Sequence, residues 1–266
     1  MPRNQAGSAY SAQVAEHYDR HVSASDKLPP YFRHCVDYQV PRALVGQPLN
    51  ALELGCGNGR LSILLARHYG FRMTAVDVSP RAVELARVNA ARHRAVVRFV
   101  NADILGEATL PEQYDLIIGH FILHEVVGDD FERLARFLVA HLAPQGYCSF
   151  LENSYFNPVF RWIREALPPD RRVSHPFEYP FDPQRYAALK RHFAFVRRDV
   201  PIVNLAERFY RQFWPCWGRS PWFYKGAVGL DTLLTFALPP RARRWVSYFQ
   251  LISFSQVALE PRLGLK

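Results

Sequence analysis

Four cysteines are few for 266 residues, and Cys35, Cys56, Cys148 and Cys216 lie far apart with no C-x-x-C pair. This spacing argues against a disulfide framework and a zinc site, and predicts reduced thiols in a cytoplasmic protein. Long apolar runs are missing too. The longest, Gly226 to Leu238, is broken by Asp231. It also falls short of the roughly 20 residues that a helix needs to span a bilayer. The amino-terminal stretch is polar and lacks the apolar region of a signal peptide. Acids are in deficit, 24 against 33 Lys and Arg, for a formal net charge of +9. That surplus, mostly arginine, fits an acidic substrate, anionic lipid or an acidic carrier protein, and equally fits plain solubility. There is no internal repeat and no low-complexity tract.

What is present is a foldable chain. A hydrophobic content of 49% with 14% aromatics excludes a disordered one. The length suits one large domain, or one domain with a lid. Its centre of organisation is Ala51 to Gly59, Ala-Leu-Glu-Leu-Gly-Cys-Gly-Asn-Gly. An apolar run ends in three glycines at alternate positions, and Leu61, Leu64 and Leu65 then resume at helical spacing. The pattern predicts strand, tight turn and helix start, a place where a ligand can approach the backbone. A dinucleotide site would want G-x-G-x-x-G, yet Gly59 comes one residue early and Glu53 stands before the first glycine. A carboxylate there repels pyrophosphate and attracts a cation.

Glu53, Gly55, Gly57 and Gly59 match E/D-x-G-x-G-x-G, and here the sequence resembles the class I methyltransferases that use S-adenosylmethionine (SAM). Asp77 closes the β-rich run Phe71 to Val76, and Ser79-Pro80 after it is a good helix start. An acid at that strand end is placed to accept hydrogen bonds from a ribose diol. Asn101-Ala102-Asp103-Ile104 resembles the family's adenine motif, and Leu142-Ala143-Pro144-Gln145-Gly146 resembles its L-x-P-x-G turn, with Gln145 where glycine is commoner. The resemblance covers about Asn50 to Glu152. It implies SAM as cofactor and S-adenosylhomocysteine (SAH) as product. It also implies cofactor contacts from Glu53 (the methionine ammonium), Gly55, Gly57, Asn58, Asp77, Val78, Asp103, Ile104 and Gly119. Tyr18, in a Glu-His-Tyr-Asp element, resembles the segment that closes over the cofactor in this family; it could equally be a core aromatic.

Successive βα units predict a doubly wound, Rossmann-like α/β sheet, mostly parallel, whose last strand is antiparallel. Helices are expected over Pro80 to Arg92, around Phe131 to Leu142, over Asn157 to Leu167 and over Asp182 to His192. Strands are expected over Val96 to Val100, Tyr114 to Gly119, Tyr147 to Leu151, Phe193 to Val203 and Ser247 to Leu259. The organisation reads as a helical cap over residues 1–41, a core over 42–203, an aromatic helical insertion over 204–246 and a closing strand over 247–266. The insertion interleaves Phe209, Tyr210, Phe213, Trp214, Trp217, Trp222, Phe223 and Tyr224 with Arg208, Arg211, Arg219 and Lys225. A substrate lid is favoured for it over core, dimer interface or membrane-surface patch.

Methyl transfer from a sulfonium is an in-line displacement, so the protein must above all align the acceptor. A base is needed only where the acceptor has a proton to lose, and histidine suits that task. His120 and His124, at the end of the Tyr114 strand, are the catalytic candidates. His-x-x-x-His could also hold a metal, but no third ligand is evident and none is expected. The expected reaction is O-, N- or C-methylation of a small, largely apolar or aromatic acceptor, with carriage on an acidic protein and peripheral membrane contact both compatible. Two rivals remain. A nucleic-acid methyltransferase fits the charge, but the N/D-P-P-Y/F tetrad of the amino-methylating kind is replaced by Gly119-His120-Phe121-Ile122, and no nucleic-acid module is evident. A SAM-binding protein without turnover is the other.

Overall fold

The computed structural model describes residues 13–20, 22, 32–106, 110, 113–126, 129–154, 161–162, 165, 181–213 and 221–257. Seven strands form one sheet in the order β3-β2-β1-β4-β5-β7-β6. They are β1 (Asn50–Leu54), β2 (Arg72–Asp77), β3 (Val97–Asn101), β4 (Tyr114–His120), β5 (Leu142–Asn153), β6 (Phe195–Asp199) and β7 (Phe249–Ser255). β1 to β5 run parallel, and β7 is antiparallel to both β5 and β6. The α/β sheet with an antiparallel last strand is as expected. The order reverses at β1, which leads to β2 on one side and adjoins β4 on the other. A crevice therefore opens at the carboxyl ends of β1 and β4.

Alternation along the strands builds a core on each face. Leu52, Leu54, Ile117, Cys148 and Phe150 pack with Phe131, Leu134 and Leu138 of one helix and Leu189 of another. Ala51, Met73, Leu116, Ile118 and Tyr147 pack on the other face with Phe32, Val36, Leu61, Leu64 and Leu65. The helices concerned are α2 (Phe32–Gln39), α3 (Arg60–Leu64), α5 (Asp129–His141) and α6 (Pro183–His192), with α1 over 13–20 and α4 over Pro80–Arg92. Ser79 caps α4 by accepting the Ala82 N–H at 3.0 Å, with Pro80 opening the first turn. Asp182 caps α6 through the Arg185 N–H.

Some element boundaries differ from expectation. Leu142 to Gly146 is not a free turn. α5 ends at His141 and Leu142 pairs at once with Tyr114, after which the register shifts, so these residues are an irregular lead-in to a longer β5. β6 and β7 are shorter than the apolar runs that suggested them. Of the helix expected at 157–167, residues 161, 162 and 165 are helical and the rest lies outside the described residues. In the insertion, α7 (Leu205–Phe213) packs on α8 (Pro221–Ala237), and α9 (Pro240–Val246) follows. Trp214, Trp217 and Arg219 lie outside the described residues.

Candidate active site

A cavity of about 490 Å³ fills the crevice. Its floor is the turn after β1, where Gly55, Gly57 and Asn58 face the space. Gly57 has φ +51°, and a Cβ there would meet nothing within 4 Å except the cavity itself. Gly59, at φ +82°, is different. Its Cβ would strike the Ala86 Cβ at 2.9 Å, so this glycine lets α4 close on the turn. One glycine thus serves ligand approach and the other serves packing.

Asp77 stands at the carboxyl end of β2. Its Oδ2 accepts the Gly57 N–H at 2.7 Å and its Oδ1 the Ser79 N–H at 2.9 Å. Burial raises its pKa, opposed by those two backbone donors. Each oxygen retains a lone pair for a ligand hydroxyl. Val78, Ala102, Ile104 and Leu105 form the adjoining apolar wall. Asp103 does two things there, lining the cavity and capping its own loop by accepting the Leu105 N–H at 2.9 Å.

α1 closes the cavity from the side with Val14 and Tyr18. It is tied down by two polar contacts. Asp19 accepts the Ser79 hydroxyl, and the Tyr18 hydroxyl donates to Glu125 Oε1 at 2.8 Å. The aromatic at 18 is therefore a cavity wall rather than only core.

Three residues singled out in the sequence lie behind the wall and do not line the cavity. Glu53 shares the β1 face of Ala51, which turns it under α3. It is 3% exposed, takes the Ser62 hydroxyl, and burial pushes its pKa up to about 8. Gly119 is a site of close packing. A Cβ would meet the Leu54 carbonyl and the Ile122 side chain, each at 2.9 Å. His124 sits between two carboxylates, with Nδ1 2.7 Å from Glu152 Oε2 and Nε2 3.2 Å from Glu125 Oε1. Burial alone would lower its pKa, but both carboxylates outweigh that and raise it to about 10. It is an imidazolium at neutral pH. Such a group donates two hydrogen bonds and has no lone pair with which to accept a proton.

His120 is the opposite case, and it lines the cavity. Gln39 donates its amide N–H to the Ser149 carbonyl at 3.1 Å, which turns Gln39 Oε1 toward His120 Nε2. That nitrogen must carry the hydrogen. Nδ1 is left as a buried acceptor with no hydrogen-bond partner among the described residues. Burial lowers the pKa to about 3, so the ring is neutral. An unmet acceptor of this kind costs about 1–3 kcal/mol.

The sequence reading missed several members of the site. Glu125 lines the cavity, and Glu152 holds the segment after β4 by accepting the Ile122 and Leu123 N–H groups at 2.9 and 2.7 Å. Phe121 lines the cavity at φ +58°, a region that costs a non-glycine residue roughly 1–3 kcal/mol. One signal was available for Glu152. It is an acid closing an apolar run, as Asp77 is. Among the described residues, none from 204–246 lines this cavity, and no cluster of side chains could hold a metal ion. Nor is any helix among them long and apolar enough to cross a membrane.

Residues 51–146 match the family model described as a methyltransferase domain. A release factor glutamine methyltransferase of Koribacter versatilis is 33% identical over 128 residues, 47% of this chain and 46% of the relative. The chain thus spans about half the length of that curated relative. Among solved structures, the N-methyltransferase NodS of Bradyrhizobium japonicum, in complex with SAH, matches with TM-score 0.51 at 22% identity over 69% of this chain and 88% of NodS. Coclaurine N-methyltransferase, bound to N-methylheliamine and SAH, matches with TM-score 0.58 at 14% identity over 96% of this chain and 88% of that one. At these identities the structures share the fold.

Proposed function

Residues 51–146 match a methyltransferase domain, and from that premise we propose that the chain is a class I, SAM-dependent methyltransferase acting on a small, largely apolar or aromatic acceptor. The observation that carries this reading is the cavity itself. It joins an open glycine turn, a carboxylate at the β2 end and an apolar wall at Ile104 in a volume suited to a small-molecule site. Asp77 would hold the ribose of SAM, and Asp103 with Ile104 would hold its adenine. Gly55, Gly57 and Asn58 pass beneath, and Val78 flanks the ring.

Glu125 replaces Glu53 as the carboxylate facing the ligand. It takes a cationic group, either the α-ammonium of SAM or an amine on the acceptor. His120 accepts a hydrogen bond from the acceptor through Nδ1. Bound SAM would supply an electrophilic methyl group and leave as neutral SAH, and a proton lost by the acceptor would pass to His120 or to solvent. With a pKa near 3 in the free protein, His120 is chiefly an orienting acceptor. His124 is a positioning residue that holds Glu125 and Glu152 apart.

Small-molecule acceptors are favoured over protein or nucleic acid because Tyr18, Phe121 and Ile122 give the cavity an apolar, partly aromatic wall, and because Gly119-His120-Phe121-Ile122 lacks the tetrad of amino-methylating nucleic-acid enzymes. Methyl-labelled SAM, offered with aromatic, acyl and carrier-bound acceptors beside protein and RNA, tests the proposal. Label should enter a small organic-soluble product. Label in protein or RNA alone would contradict the acceptor class.

A further inference from the structure

α8 is built inside out. Its inward side carries Asp231 and Thr235, each 5% exposed. Asp231 accepts the Ala206 and Glu207 N–H groups at 2.8 Å, capping α7, and Thr235 accepts the Val203 N–H at 2.7 Å. At 100° per residue the opposite arc holds Trp222, Gly226, Gly229, Leu230, Leu233 and Phe236. Trp222 is 82% exposed, Leu233 63% and Phe236 75%. A helix that turns its buried carboxylate and hydroxyl onto the protein and most of its large apolar side chains outward is matched to an apolar environment.

The charges at its rim identify that environment. Lys225 borders the arc, with Nζ 5.7 Å from the centre of the Trp222 ring. Past the helix end, α9 carries exposed Arg241 and Arg244, and Trp245 is 65% exposed. Arg243 Nε donates to the Leu238 carbonyl at 2.9 Å, tying α9 to the end of α8. Asp231 is the one acid between residues 221 and 246, and it is turned inward. Apolar side chains bounded by cations and indoles suit acyl chains beneath anionic headgroups. Seventeen residues with a carboxylate in the middle cannot span a bilayer, so the helix would lie along its surface.

We propose that the exposed face of α8, with the basic turn of α9, docks this protein on an anionic phospholipid membrane. The docking is independent of the methyl-transfer reading, because none of these residues lines the cavity.

Co-sedimentation of the full chain with vesicles tests the proposal, comparing phosphatidylcholine alone with phosphatidylcholine containing one third phosphatidylglycerol. Binding should be at least about tenfold tighter on the anionic vesicles and should weaken as salt is raised. Leu233→Glu combined with Phe236→Glu should reduce binding by about tenfold or more. Arg241→Glu should reduce it by roughly fivefold or more. Both sets of side chains are exposed, so the thermal midpoint and SAM affinity should stay as in the parent. Equal binding by parent and variants, or no vesicle binding at all, would overturn the proposal. So would a dimer in solution that the Leu233→Glu, Phe236→Glu variant converts to monomer without any lipid affinity in the parent.

Discussion

Asp77 and His120 face the same cavity with opposite needs. Asp77 already accepts two backbone hydrogen bonds and offers its remaining lone pairs, whereas His120 Nδ1 has no donor among the described residues. Asp77→Ala should therefore weaken SAM affinity about tenfold or more, consistent with loss of charge-assisted hydrogen bonds worth about 1.5–3 kcal/mol. Calorimetry would read this directly, and an unchanged affinity would remove the ribose assignment. His120→Ala should leave SAM affinity nearly unchanged and lower kcat/KM by about tenfold to a hundredfold, the low end of what acid–base and orienting groups supply. His120→Gln, which can still place an acceptor in the cavity, should recover part of that loss. A rate within about threefold of the parent for both variants would leave His120 as packing alone.

At the scale of elements, the cavity depends on α1 seating against the loop after β4. The Tyr18 to Glu125 hydrogen bond joins segments 107 residues apart, and the Asp19 to Ser79 contact joins segments 60 apart. Tyr18→Phe should raise the SAM dissociation constant several-fold by loosening this closure. Glu125→Gln separates the two cationic ligands proposed for it. A higher SAM dissociation constant would place the methionine ammonium there, and a higher acceptor KM alone would place the acceptor's amine there. No change in either would exclude Glu125 from ligand binding. The local pieces of the site were legible in the sequence because they are consecutive: three glycines, an acid ending β2 and an acid–apolar pair after β3. Glu53 lies off the cavity because strand parity, rather than proximity along the chain, sets its direction. It follows Ala51 onto the α3 face, where Ser62 waits. The unit of Glu125, His124 and Glu152 stayed hidden because only the β4–β5 pairing brings Glu152 beside the segment after His120. Gln39, which fixes the His120 tautomer, comes from 81 residues away and leaves no local mark.

For the whole molecule, the buried proton holders set a pH dependence. Glu53 is raised from an ordinary 4.5 to about 8, and His124 from 6.5 to about 10. In both cases the folded chain keeps a proton that the unfolded chain has released. Their stabilisation is complete below the unfolded values and is lost as pH rises, over about 4.5 to 8 for Glu53 and 6.5 to 10 for His124. His120, lowered to about 3, works the other way and is felt only as pH falls below 6.5. The denaturation midpoint should therefore fall steadily from pH 6.5 upward. Glu53→Gln should flatten the segment below pH 8 by as much as about 1.4 kcal/mol per pH unit, the linkage of a single proton. A midpoint that rises across this range, or a variant that runs parallel to its parent, would contradict the burial of these charges.

The central claim is that the crevice at the β1–β4 switch point is a SAM site. Calorimetric titration of the full chain with SAM, SAH and NADH tests it most directly. Micromolar binding of SAM or SAH with none of NADH is the predicted result. Binding of NADH alone, or of none of the three, would contradict it.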